Sequence, residues 1–186
     1  SENPIKLTAI YVKEKDPPNE LVGLEWMLLT NVETEENEAQ IRERIEWYKM
    51  RWHIENFHKM LKSGCQTESC QLESAERLER FIALNSIIAW RIYWLSRVGR
   101  IDNKTSCEQI LAEHEWQALY MKINKKKPPK KPPTVSEAMM WIAKLGGFLG
   151  RKNDGYPGVK SMWLGWQRLN DCADDWLVFK KINNCG

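Results

Sequence analysis

Both segments that read as β-strands, residues 5–12 and 25–30, lie within the first 30 positions, and everything after Thr34 carries helical rather than alternating periodicity. A lone strand pair is marginal in water. The pair must therefore be covered by helices or joined by strands that precede Ser1. The chain does not begin with Met and opens directly on a strand-like segment, which adds to the expectation that its natural beginning lies further upstream. Between the two strands, Asp16-Pro17-Pro18-Asn19 reads as a turn. The expected class is α+β and mainly α-helical, with a short antiparallel strand pair set against helices.

Thr34 is the expected cap of a long helix running to Lys62, with Glu35 and Glu36 at the positive end of its dipole and Ser63-Gly64 as its stop. A second helix, over about 74–98, is apolar around much of its circumference and is expected to be the central core helix. Thr105 with Glu108 and Thr134 with Glu137 fit capping-box spacing. They predict a third helix running to about Lys122 and a fourth ending at Gly146-Gly147. Residues 124–133 carry four prolines among lysines, which excludes a helix and predicts an extended, mobile, basic linker. A glycine-rich turn over 146–158 leads into a last helix at about 159–180, where Trp163, Trp166, Leu169, Ala173, Trp176 and Leu177 follow helical spacing.

Composition removes several classes of function. Apolar residues make up 42% of the chain and charged residues 28%, so neither disorder nor a membrane class is favoured. The longest apolar stretch, 81–95, is broken by Asn85, Ser86 and Arg91 and is too short and polar to span a bilayer. No membrane partner and a cytoplasmic location are expected. Five cysteines, at positions 65, 70, 107, 172 and 185, are odd in number and widely spaced without a secretory signal, which reads as reduced thiols. His53, His58, Cys65 and Cys70 are near neighbours in sequence, but histidines five apart diverge on a helix, so a zinc site is not expected. The net charge of +3 is modest, with positive charge concentrated in the Lys/Pro stretch. That stretch suits either a DNA backbone or plain solvation. Ten tryptophans suit stacking on bases or covering an interface as well as filling a core.

The informative segment is residues 47–62. On a continuous helix Tyr48, Arg51, Glu55, Lys59 and Lys62 fall within an arc of roughly 80°. Trp47, Met50, Ile54, Phe57 and Leu61 occupy a similar arc roughly 120° away, the face expected to pack. The plainest reading of the polar stripe is a solvated ladder, with Arg51 to Glu55 and Glu55 to Lys59 each worth about 0.2–0.5 kcal/mol.

Tyr48, Arg51, Glu55 and Lys62 also stand in the order and spacing of the YREK motif, and the chain resembles the insertion-sequence-4 family of cut-and-paste DDE transposases, of the transposon Tn-five type. The similarity extends through Arg51-Trp52-His53-Ile54-Glu55, Phe57-His58-Lys59, Leu78-Glu79-Arg80, Leu145-Gly146-Gly147-Phe148 and Trp163-x-Gly165-Trp166. It implies that residues 1–99 are the C-terminal part of an RNase H-like catalytic domain and residues 100–186 an all-α dimerisation domain. Glu55 would be the last of three carboxylates, joining two aspartates on earlier strands to bind Mg2+ or Mn2+. Tyr48, Arg51 and Lys62 would grip the phosphate beside a nucleotide flipped out near the transposon end, with Lys59 neutralising charge nearby. Trp26 would stack on the flipped base, and its plainer reading is a half-buried strand residue. The implied partners are transposon-end DNA and a second copy of the chain, a homodimer in the synaptic complex.

Two hard cations a few ångströms apart need several converging carboxylates. Asp16, Asp102, Asp154, Asp171, Asp174 and Asp175 fall in loops or distal helices and none is assigned to the metal site. The chain alone is expected to be inactive. A second class of function stays open, a helical DNA-binding or dimerisation module without chemistry. The tryptophans of the last helix fit either a core or a two-fold interface.

Overall fold

The computed structural model describes residues 4–18, 22–35, 37–64 and 67–183. The expected roles of Asn19, Glu36, Cys65 and Cys185 fall outside the described residues. The chain divides into two compact units, Ser1–His53 and Ile54–Gly186.

In the first unit, strand β1 (Thr8–Lys13) pairs antiparallel with β2 (Glu25–Thr30), in a register running from Thr8 opposite Thr30 to Lys13 opposite Glu25. Period-two alternation separates the faces. Ile10, Val12, Trp26 and Leu28 are buried or half-buried, whereas Tyr11, Met27 and Leu29 lie open to solvent, the last two at 64% and 68% exposure. Among the described residues the sheet has only these two strands.

Helix α1 (Glu38–Met50) begins later than expected, because Asn37 rather than Thr34 caps it: Asn37 Oδ1 accepts from Ala39 N at 2.9 Å. Thr34 is occupied elsewhere, its hydroxyl donating to Val32 O at 3.0 Å. The single helix expected from Thr34 to Lys62 is instead two. At Arg51 the backbone N–H bonds to Tyr48 O at 3.0 Å, three residues back, the tight closure common at helix ends. Helix α2 (Trp52–Ser63) follows, and Glu55 stands in its first turn, not in the middle of a long helix.

The second unit is helical. Ser74 Oγ accepts from Arg77 N at 3.3 Å and opens α3 (Ala75–Ile101), the expected central helix, whose Ala89, Ile92 and Leu95 are wholly buried. Thr105 does not cap a helix with Glu108. Its hydroxyl donates to Asp102, a short 3-10 turn (Cys107–Gln109) follows, and α4 (Glu113–Asn124) starts where the Glu115 carboxylate accepts Ala112 N at 2.7 Å. The Thr134/Glu137 capping box forms as expected and opens α5 (Val135–Leu145), which Gly146 ends. Helix α6 (Val159–Asn183) closes the chain.

Asn124 is the last residue of α4, and Lys125 beyond it adopts a left-handed conformation with φ 56°. Residues 125–133 are non-helical, and their end is pinned: Cys107 N donates to Pro133 O at 2.9 Å and Val135 N to Thr105 O at 2.8 Å.

Helices α5 and α6 cross at backbone contact. A Cβ placed on Gly165 would lie 1.8 Å from Ile142 O, and one on Gly146 would lie 1.8 Å from Ser161 O. Each glycine lets the other helix approach, and Ile142, Met162, Trp166 and Leu169 pack beside the crossing with at most 1% exposure. Arg91 ties α3 to α4, donating to Glu115 at 2.8 Å and to Ile110 O at 2.9 Å with its guanidinium 4.7 Å from the Trp166 ring. Glu115 is 9% exposed, so removing Arg91 strips a buried carboxylate of its cation and leaves it the Ala112 N–H, at a cost of about 1–3 kcal/mol. Among the described residues no helix is long and apolar enough to cross a membrane.

Candidate nucleic-acid interface

In the first unit, α1 carries Arg44 and Tyr48 four residues apart, so they share a face, and Arg51 follows at the helix end. Together with Trp47 they border a hollow of about 420 Å³ whose other wall is Ile10 and residues 27–30. The lining includes two guanidinium-bearing residues, two aromatic rings and no carboxylate. The Arg44 guanidinium sits 3.9 Å from the Trp47 ring centroid and donates to Glu43 at 3.0 Å, which fixes its position.

Trp26, half-buried on β2 opposite Val12, meets the Tyr48 ring edge-on at 5.3 Å between centroids and 64° between planes. Trp26 also lines a separate hollow of about 460 Å³ with Lys13, Glu14, Arg42, Glu46 and Lys49 among its walls. There the charges are mixed, Lys49 pairing with Glu46 at 2.5 Å. The arginine-lined hollow is the one suited to an anion with a planar group beside it.

In the second unit, Glu55, Lys59 and Lys62 are all exposed on α2. On its other side Phe57 and Leu61 pack against the core and Met60 is buried. The expected apolar stripe holds only there. Trp47, Met50 and Ile54 are 44%, 54% and 57% exposed, since the stripe assumed one unbroken helix through Arg51. Arg44 and Trp47 were not singled out as binding residues from the sequence. Arg44 lies four positions before Tyr48 and seven before Arg51, and extending the polar stripe one turn backward would have found it.

Among the described residues no three of His, Cys, Asp and Glu converge to hold a metal ion. A two-cation centre therefore does not fit these residues by themselves, and no chemical step through a metal follows from them. Cys70, Cys107 and Cys172 are free thiols. Burial pushes the Cys107 thiol up to about 12.

The last helix divides along its length. Trp166, Leu169 and Ala173 are core, Trp163 and Trp176 are half-buried, and Val178, Phe179 and Ile182 are open. The model of the transposase DDE domain matches residues 12–92, which run from β1 into α3, and the model of the Tn5 transposase dimerisation domain matches residues 87–176, which run from α3 to α6. Between them the two matches span 12–176, and together they support a likeness of this chain to the Tn5-like DDE transposases.

Proposed function

We propose that this chain grips the DNA end of a mobile element and supplies one carboxylate to the catalytic centre of a cut-and-paste transposase of the insertion-sequence-4 type. Tyr48, Arg51, Glu55 and Lys62 fill the YREK positions. Arg51, Lys59 and Lys62 neutralise backbone phosphates, and Trp26 offers its ring to an unstacked base. Glu55 joins aspartates that this chain's described residues do not provide, in an RNase H-like centre that takes Mg2+ or Mn2+ in the complete transposase. Residues 100–186 pair two copies of the protein in the synaptic homodimer. The observation that carries this reading is the carboxylate-free hollow at Arg44, Trp47, Tyr48 and Arg51, with the Trp26 ring edge-on to Tyr48. Cations hold phosphates there without reading sequence, while rings accept any base.

The test is a salt titration. Arg51→Ala and Lys62→Ala should each weaken binding to a transposon-end duplex and lower the slope of log affinity against log salt by roughly one. Both residues are exposed, so stability should move by under about 0.5 kcal/mol. A solvated ladder forecasts the reverse. Unchanged affinity and slope with a lowered melting temperature would make the stripe structural.

A further inference from the structure

A hollow of about 460 Å³ lies within the second unit, where α2 and α3 meet the start of α6. Three cationic residues line it, Lys59 from α2 and Arg97 and Arg100 from α3, and no carboxylate does. Among the described residues none of the three forms an ion pair. Arg100 is held in place, donating to Pro157 O at 3.2 Å with its guanidinium 5.3 Å from the Tyr156 ring, and its remaining N–H donors stay available.

Two further features of the hollow are donors without an acceptor. Ser96 lines it and is only 8% exposed, yet its Oγ has no hydrogen-bond partner among the described residues. Buried hydroxyls are normally paired. The first turn of α6 supplies the rest: Gly158, Val159 and Met162 line the hollow, and Met162 N is bonded to Gly158 O at 3.1 Å. The N–H groups ahead of it are those a helix leaves without intrahelical acceptors, and the helix dipole makes that end attractive to anions.

We propose that this hollow is a phosphate-binding site, with Arg97, Arg100 and Lys59 carrying the charge and the Ser96 hydroxyl and the α6 N-terminus completing the donor set. A phosphate brings several acceptor oxygens on one tetrahedral centre, which matches guanidinium forks, an ammonium and a hydroxyl arranged around one space. The phosphate comes either from a DNA backbone or from a free phosphate ion. Lys59 is shared with the interface proposed above, whereas Arg97, Arg100 and Ser96 are additional to it.

Arg97 is exposed and carries the test, with circular dichroism as the check on folding. The whole chain and Arg97→Gln are titrated with end-sequence duplex at several salt concentrations. In parallel, their melting temperatures are read in inorganic phosphate and in sodium chloride of matched ionic strength. A DNA site predicts that Arg97→Gln weakens duplex binding about threefold or more and lowers the salt slope by roughly one, while Arg97→Lys keeps the slope. A free-ion site predicts an unchanged duplex slope and a phosphate-specific rise in melting temperature that Arg97→Gln loses. Equal duplex affinity, equal slope and no phosphate-specific stabilisation in a folded Arg97→Gln would overturn the site. If Arg97→Gln loses helical signal, Arg100→Gln replaces it, with the same loss of slope or of phosphate-specific rise expected and the same unchanged readings overturning the site. Arg51→Ala run alongside keeps the two readings apart, since a slope that falls only with Arg97→Gln sinks the α1 interface and leaves this one standing.

Discussion

Individual side chains take their roles from what covers them. Trp166 and Trp47 have the same chemistry and both sit on helices, yet Trp166 is 1% exposed and Trp47 44%. Helical spacing put Trp166, Leu169 and Ala173 on one face and left core or interface open; in the fold three helices close over them. The same spacing misjudged Trp47, Met50 and Ile54, because periodicity reports a shared face and not whether anything lies against it. Cys107 shows the covering effect in its chemistry. Buried beside Leu111 in the core, its thiol is pushed from an ordinary value of 9.0 up to about 12, chiefly by desolvation of the thiolate. Since the folded value is the raised one, this group's contribution to stability is fully present below about pH 9 and is lost as pH climbs toward 12. The thiolate is the nucleophile. Alkylation at pH 8 with peptide mapping should therefore leave Cys107 unmodified in the native chain while the partly exposed Cys70 and Cys172 react, and denaturant should abolish the difference. Native labelling of Cys107 at the rate of Cys172 would show that the core opens around it.

At the scale of elements, start and stop signals were legible wherever the side chain had no competing partner. Thr134 caps as its sequence announces, the helix expected from about residue 74 starts there, and Gly64 and Gly146 end helices at the expected places. Thr34 and Thr105 carry the same signal and cap nothing, since Val32 O and Asp102 engage their hydroxyls first. The interruption at Arg51 has no proline or glycine to mark it. Least legible was the meaning of Gly146 and Gly165, which read as turn and family text but serve as the contact that brings α5 against α6. A Cβ there meets a carbonyl of the opposing backbone at 1.8 Å, and backbone cannot rotate aside as a side chain would. Gly165→Ala should thus exceed ordinary overpacking and destabilise by about 3 kcal/mol or more, lowering the melting temperature by about 6–12 °C. Gly158→Ala, where nothing lies within 4 Å and no positive φ is required, should stay within about 0.5 kcal/mol. Equal melting temperatures for the two variants would mean that the crossing does not hold the helices at this distance.

For the molecule as a whole, the decisive quantity is the number of carboxylates that reach one point. An in-line phosphoryl transfer assisted by two cations needs one to activate the attacking oxygen and one to stabilise the leaving oxygen, and each cation needs several oxygen ligands. This chain presents Glu55 exposed in the first turn of α2, and among its described residues no group of three His, Cys, Asp or Glu side chains forms that could hold a metal ion. The YREK spacing proposes Glu55 as a metal ligand, but no spacing could show which other carboxylates converge, because convergence depends on strands and loops distant in sequence. The open face of the strand pair, with Met27 and Leu29 at 64% and 68% exposure, is apolar surface of the kind a larger sheet or further helices would cover. Binding and chemistry should therefore separate in this chain. Supercoiled plasmid bearing transposon ends, incubated with the chain and either Mg2+ or Mn2+, should show no nicking above the metal-only control, and Glu55→Ala should leave that background unchanged. Duplex affinity measured on the same preparation should remain, and should drop with Arg51→Ala. Metal-dependent nicking by the parent chain that vanishes in Glu55→Ala would mean that other residues of these 186 complete the centre, and the division of labour argued here would be wrong.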